Sequence, residues 1–172
     1  MKKLLTVLMI ATLALGLVAC GGAEEEGAPA ADKAGVRTVD EIKKSGEITI
    51  GVFGDKKPFG YMDEKGQFKG YDIALGDRIG EELGVKVKYI PVEAASRVEY
   101  LNANKIDLLL ANFTITDERK EQVDFALPYM KVSLGVVSPK GEITDVSQLK
   151  DKTLIISKGT TAETYFTEKH PE

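Results

Sequence analysis

The sequence predicts an α/β protein built on a parallel sheet, and three observations predict it. Strand-like runs at Glu47–Val52, 85–90 and 106–110 alternate with helix-period segments, the pattern of parallel strands joined by helical crossovers. The chain has 172 residues, 43 % of them hydrophobic, enough for one core of medium size. Its formal net charge is −4, from 23 Lys+Arg against 27 Asp+Glu, so there is no basic field to hold a nucleic-acid backbone. A single Cys excludes an intramolecular disulfide framework or a Cys-rich zinc cage. A single His, His170, leaves little for His-based catalysis. Neither a metal nor a cofactor is expected.

The amino terminus reads as an address. Met1-Lys2-Lys3 precedes an apolar run, residues 4–16, broken only by Thr6 and Thr12, and no charge follows until Glu24. A hydrocarbon core needs about 20 apolar residues to span; this run is nearer an export-signal apolar region in length. It ends in Leu17-Val18-Ala19-Cys20, which resembles a bacterial lipobox. In such signals the Cys thiol takes a diacylglyceryl group and cleavage makes that Cys the new amino terminus. Residues 1–19 are therefore expected to be a lipoprotein signal peptide, with Cys20 the lipidation site and the membrane reached through acyl chains. An ordinary secretory signal with an incidental Cys, or a membrane anchor, are the alternatives. Residues 20–37 hold few large apolar side chains and are expected to form a flexible tether, with Glu24-Glu25-Glu26 a solvated charge run.

From Thr38 the helix and strand periods alternate. Thr38-Val39-Asp40-Glu41-Ile42 is expected to open a short helix that Gly46 stops, before the strand Glu47–Val52. Phe59, Tyr61 and Phe68 bracket a hairpin with Gly66 at positive φ. A helix begins at Asp72, with Leu75, Ile79 and Leu83 on one face and Gly84 closing it; Gly76 and Gly80 beside that face allow close packing. A strand at 85–90, a helix around 97–103 and a strand at 106–110 buried on both faces follow. Beyond Arg119 come an extended segment at 132–138, a turn at Pro139-Lys140-Gly141, a short helix at 146–149, a strand at 153–157 and a final helix opened by Gly159-Thr160-Thr161. The second α/β unit begins without completing itself, so the chain is expected to be a fragment or one side of a larger protein. Domain bounds follow as 38–131 for a first α/β lobe and 132–172 for a hinge segment and an incomplete second lobe.

Three stretches carry candidate chemistry. Ala111-Asn112-Phe113-Thr114-Ile115-Thr116-Asp117-Glu118-Arg119 follows the carboxyl end of a strand, where open α/β sheets place their ligand crevices. Thr116 is a good helix cap, and Arg119 would sit in the first helical turn, where its guanidinium matches a carboxylate bidentately. The residues alone leave two roles open for Arg119: that fork, or a surface ion pair with Asp117, Glu121 or Asp124. Lys158-Gly159-Thr160-Thr161 is a Gly turn into a helix amino terminus, whose unpaired N–H groups suit an anion. Phe53, Asp55 and Lys56 follow the first strand, and Glu93, Ser96 and Arg97 occupy the matching loop after the second. Arg97 either reaches a ligand or stands as a solvated charge at a helix start.

Taken together, these residues resemble family 3 of the periplasmic solute-binding proteins, the polar amino-acid receptors of ABC importers. Thr114-Ile115-Thr116-Asp117-Glu118-Arg119, Val123-Asp124-Phe125 and Pro128-Tyr129 are similar to that family's core motif in order and spacing, as are Gly70-Tyr71-Asp72 and Lys158-Gly159-Thr160-Thr161. The resemblance runs from about Glu47 to Glu172. Gly51-Val52-Phe53-Gly54-Asp55, the 93–101 stretch and Pro128-Tyr129-Met130-Lys131-Val132 look most like cysteine-binding members. The resemblance implies a type II-like periplasmic binding fold of two α/β lobes that closes on one amino acid, a hinge near 131–135 and ABC permease subunits as partners. It also implies that Arg119, with the Thr114 and Thr161 backbone N–H groups, holds the α-carboxylate. The Thr114 hydroxyl and Asn112 carbonyl then help bind the α-ammonium.

Two departures stand out. Ala94 carries no ring where many relatives stack one on the ligand side chain, which fits a small substrate. The acid that usually pairs with the α-ammonium would fall beyond Glu172, so the isolated chain is expected to fold poorly and bind weakly. The same fold is shared by cyclohexadienyl dehydratases, for which Glu93 or Asp55 would be the general acid, and by sensory binding modules and the regulatory part of some lytic transglycosylases. Those remain alternatives.

Overall fold

The structure, a computed structural model, describes residues 35–171. The signal peptide, Cys20 and most of the expected tether lie outside the described residues. Arg37, assigned to the tether, is instead fixed: its Nε donates to Asp107 Oδ1 at 2.7 Å and its Nη2 pairs with Oδ2 of the same carboxylate, which also accepts from the Thr49 amide at 2.7 Å.

Helix α1 (Val39–Ser45) starts in a capping box: Glu41 N donates to the Thr38 hydroxyl, and the Thr38 amide donates to the Glu41 carboxylate. Gly46 ends it in the left-handed region. Strand β1 (Glu47–Val52) follows. A small antiparallel sheet comes next, β2 (Asp55–Lys56), β3 (Gly60–Met62) and β4 (Phe68–Lys69), with Gly66 in the turn as expected. Helix α2 (Tyr71–Leu83) leads to β5 (Lys86–Pro91), α3 (Arg97–Asn102) and β6 (Leu108–Leu110). The main sheet has the order β5-β1-β6 and is parallel throughout, with Glu47 opposite Lys86 and Ile50 opposite Leu108. Strand, helix, strand, helix, strand is thus realised as a parallel α/β lobe.

One apolar cluster lies between this sheet and the helices. Ile42, Ile48, Ile50, Val52, Ile73 and Leu110 are buried, with Leu75, Ile79 and Leu83 of α2 packed on them. The glycine stripe of α2 lets it approach β5: a methyl on Gly80 would come to 2.3 Å from Val87 Cγ2, and one on Gly76 to 2.6 Å from the Tyr89 hydroxyl.

Two expectations need correction. The third strand is not buried on both faces and is shorter than 106–110. Leu108 and Leu109 are half-buried, because β6 pairs with β1 alone among the described residues and β1 is the central strand. No strand forms at 153–157. A β segment needs a neighbour for its backbone groups, none lies beside it among the described residues, and Ile155 is 93 % exposed. After Ala111 no described residue is buried. Residues 132–138 run as coil, followed by 3-10 turns at Pro139–Gly141 and Val146–Leu149 and by helix α5 (Thr161–Lys169). Helix α4 (Asp117–Lys120) is a single turn between the two parts.

Gly80→Ala tests the close approach of α2 to β5. Helix propensity alone favours Ala by about 1 kcal/mol. Forcing a methyl into Val87 costs about 1–3 kcal/mol, so the variant is expected to be less stable, with a lower urea midpoint and unchanged slope. A raised midpoint would show that the strand yields freely.

Candidate functional site

The residue immediately after each strand of the main sheet is buried in a second apolar cluster: Phe53 after β1, Val92 after β5 and Ala111 after β6, with Ala94, Tyr100 and Leu109 against them. This floor sits at the carboxyl edge of the sheet, and two arginines converge above it. Arg97, the first residue of α3, is only 3 % exposed. Its Nε donates to the Ala94 carbonyl at 2.9 Å. Nη1 donates to Ala111 at 3.0 Å and Asn112 at 3.3 Å, and Nη2 to Gly159 at 2.7 Å. Four hydrogen bonds to main-chain carbonyls therefore bind the loops after β5 and β6 to the turn before α5.

Arg119 is placed by the cap of α4, where the Thr116 hydroxyl accepts from the Arg119 amide at 3.3 Å. Its Nη1 donates to the Thr114 carbonyl at 2.7 Å and its Nη2 to the Gly159 carbonyl at 2.9 Å. Both guanidiniums lie over the Phe113 ring, 4.6 Å away for Arg97 and 4.4 Å for Arg119, and Phe113 stacks on Phe125 at 5.4 Å. A cleft of about 430 Å³ opens here, lined by Ala94, Phe113, Arg119, Gly159 and Thr161, with Glu118, Glu163 and Glu168 also on its walls.

Among the described residues no ion pair includes Arg97 or Arg119. Of the two roles open for Arg119, the surface pair with Asp117, Glu121 or Asp124 does not form; Asp117 pairs with Lys120 instead. Burial, and then the charge of Arg119, lower the Arg97 pKa to about 10. Burial likewise lowers that of Arg119, against an opposing pull from Glu118. Both stay protonated at neutral pH. Two cations facing neutral carbonyls make a site for an anion, and a planar fork suits a carboxylate.

At the start of α5 the Thr160 hydroxyl accepts from the Glu163 amide at 3.3 Å, while the Gly159 amide donates to Glu163 Oε2 at 2.7 Å. Of the turn expected to receive an anion, Gly159 N–H is thus already engaged, and Thr161 supplies the first-turn amide at the cleft. Asn112 sits at φ 46°, and its carbonyl faces Arg97. Phe53 is buried beneath Lys56 and Arg97 rather than lining the cleft. Asp55 is exposed in β2, opposite Tyr61, and not among the cleft residues. Sequence reasoning missed Phe113 as the platform for both arginines, although it stands inside the stretch that drew attention, and it missed Glu163.

Asp72, in the first turn of α2, is fully buried. One carboxyl oxygen accepts from the Tyr129 hydroxyl at 2.9 Å and the other has no hydrogen-bond partner. Tyr71 stacks on Tyr129 and donates its hydroxyl to the Tyr129 carbonyl at 3.3 Å. Burial pushes the Asp72 carboxyl above the usual range, with the Tyr129 hydroxyl and the Asn112 amide opposing.

The profile of the bacterial extracellular solute-binding proteins, family 3, matches residues 48–166. The chain is 30 % identical over 178 residues to the ABC transporter glutamine-binding protein GlnH of Bacillus subtilis, covering 100 % of this chain and 65 % of that protein. Among solved structures it is similar to a cysteine-binding protein from Campylobacter jejuni, with 60 % identity and a TM-score of 0.75, covering 77 % of this chain and 55 % of that one. It is also similar to a solute receptor for L-cysteine of Neisseria gonorrhoeae, with 56 % identity and a TM-score of 0.76, covering 78 % and 56 %. The chain thus spans about half to two thirds of the length of these relatives.

Asp72 carries a pH prediction. Its folded pKa lies above the unfolded value of about 3.9, so the native state binds this proton more tightly than the unfolded chain. That contribution is complete below about pH 4 and is lost as pH rises through the folded pKa. Asp72→Asn keeps an acceptor for Tyr129 and removes the titration. Urea unfolding between pH 4 and 7 should show wild type losing stability relative to the variant as pH rises; parallel profiles would refute the assignment.

Proposed function

Since the chain belongs to family 3 of the bacterial extracellular solute-binding proteins, we propose that it is the substrate-binding lipoprotein of an amino-acid ABC importer, with cysteine the leading ligand. The observation that carries this reading is a buried Arg97 and a half-buried Arg119 that converge at the carboxyl edge of a parallel sheet with neither in an ion pair among the described residues. Arg119 takes the α-carboxylate, joined by the backbone N–H groups of Thr114 and Thr161. The Thr114 hydroxyl and the Asn112 carbonyl turn toward the α-ammonium. Ala94 lines the cleft without filling it, as a small side chain requires, and the likeness to two cysteine receptors at 56–60 % identity supports cysteine.

Residues 38–131 form the first lobe in this reading, with the hinge near 131–135, where the chain is exposed coil, and the second lobe beginning at 132. A ligand that touches donors of both lobes favours the closed form by its differential affinity, and that closed form is what permease subunits would receive. Residues 1–19 direct export, Cys20 carries the lipid, and the residues between Cys20 and Arg37 tether the receptor outside the cytoplasmic membrane.

A thermal-shift and calorimetric screen of the full-length protein against the amino acids tests this. Ligand at 100 times its Kd stabilises by about 2.7 kcal/mol, and one small polar member, cysteine first, should raise the melting point. Arg119→Ala removes one partner of a buried charge pair, a loss of about 2–5 kcal/mol, and should abolish the shift while the protein still melts cooperatively. Indifference of wild type to all amino acids would overturn the receptor reading. Separately, Cys20→Ala should move the protein from the detergent phase to the aqueous phase of a cloud-point partition; unchanged partition would dismiss the lipid anchor.

A further inference from the structure

Among the described residues, every hydrogen bond that joins 132–171 to 35–131 ends on one atom, the Gly159 carbonyl oxygen. Arg97 reaches it at 2.7 Å and Arg119 at 2.9 Å. The approach is backbone to backbone: a Cβ on Gly159 would lie 2.6 Å from both the Ala94 carbonyl oxygen and the Ala95 Cα, and its φ of +73° is itself a conformation that side chains resist. Arg97 is nearly solvent-free, and its other bonds hold the carbonyls of Ala94, Ala111 and Asn112. Its donors are therefore committed to four main-chain carbonyls, against two for the more exposed Arg119.

We propose that Arg97 and Gly159 form the latch of the closed state: Arg97 is a positioning residue that seats the Gly159 peptide against the 94–95 loop, and it sets how long the ligand is held without contacting it. This rests on the amino-acid receptor reading and extends it to the closing step. A closed form made less populated weakens every ligand by the same factor, because apparent affinity scales with the competent fraction. A residue that touches the ligand side chain would instead change one ligand against another.

The test uses the full-length protein with L-cysteine and L-serine as probes. Gly159→Ala lies outside the buried core; it strains the turn before α5 and unseats it from the 94–95 loop. Ligand enters the open form and closure follows, so a weaker closed form should weaken both ligands by the same factor, about tenfold or more, through faster dissociation. The ligand-free urea midpoint of the main-sheet lobe should stay near wild type. Arg97→Lys keeps the charge and loses the fork, and should shift both ligands in the same direction, with the double variant no worse than the more damaging single one. Wild-type binding by Gly159→Ala, or a changed cysteine-to-serine ratio in Arg97→Lys, would overturn the latch. Absence of any amino-acid binding by wild type would instead overturn the receptor reading on which it stands.

Discussion

One neutral oxygen between a buried cation and a half-buried one is the constraint on which this structure turns. Removing a guanidinium from water is costly unless its donors are met, and here they are met almost wholly by main-chain carbonyls. Hydrogen bonding is satisfied while charge is not. Arg97 feels this as burial and as the like charge of Arg119, and the shared Phe113 face offers both only a quadrupole. In the proposed receptor, a carboxylate arriving in the cleft would supply an opposite charge to both guanidiniums, so the electrostatic deficit that burdens the free protein would favour the bound one.

The fold supplies the rigidity this needs. Three parallel strands end at the same level, and the side chain after each is buried, so the loops that carry Arg97, Asn112 and Thr114 spring from a packed base. Asp72 and Tyr129 hold the chain on its way out of the lobe, two residues before the exposed coil of 131–135. Core packing is confined to one side of that point. Beyond it Val137 and Ile155 are each more than 90 % exposed. Order beyond residue 131 accordingly depends on polar contacts at the cleft.

Most of the first lobe was legible in the sequence because its signals are local. Thr38 with Glu41, Gly46, Gly66, Thr116 and Thr160 act within four residues of themselves, and the helical face of Leu75, Ile79 and Leu83 needs only a period. The strand expected at 153–157 failed for the converse reason: apolar alternation proposes a strand, but only a partner makes one. Arg97 was the hardest residue to read. Its acceptors lie 14, 15 and 62 residues downstream as well as three upstream, and nothing in a helix-start arginine announces that main chain from four places will converge on it. Gly159 stood out as a turn into a helix; that its carbonyl, rather than its amide, would face the cations required the tertiary approach to the 94–95 loop.

The carboxylate of Asp107 grips Arg37 with both oxygens and one of them also takes the Thr49 amide, in the middle strand of the sheet. Arg37 also donates to the Ser45 hydroxyl at 3.0 Å and the Glu47 carbonyl at 3.3 Å, so tension arriving at this residue would be shared between the spine of the sheet and the far end of α1. The capping box at the start of α1 would then not be the first contact to carry that load.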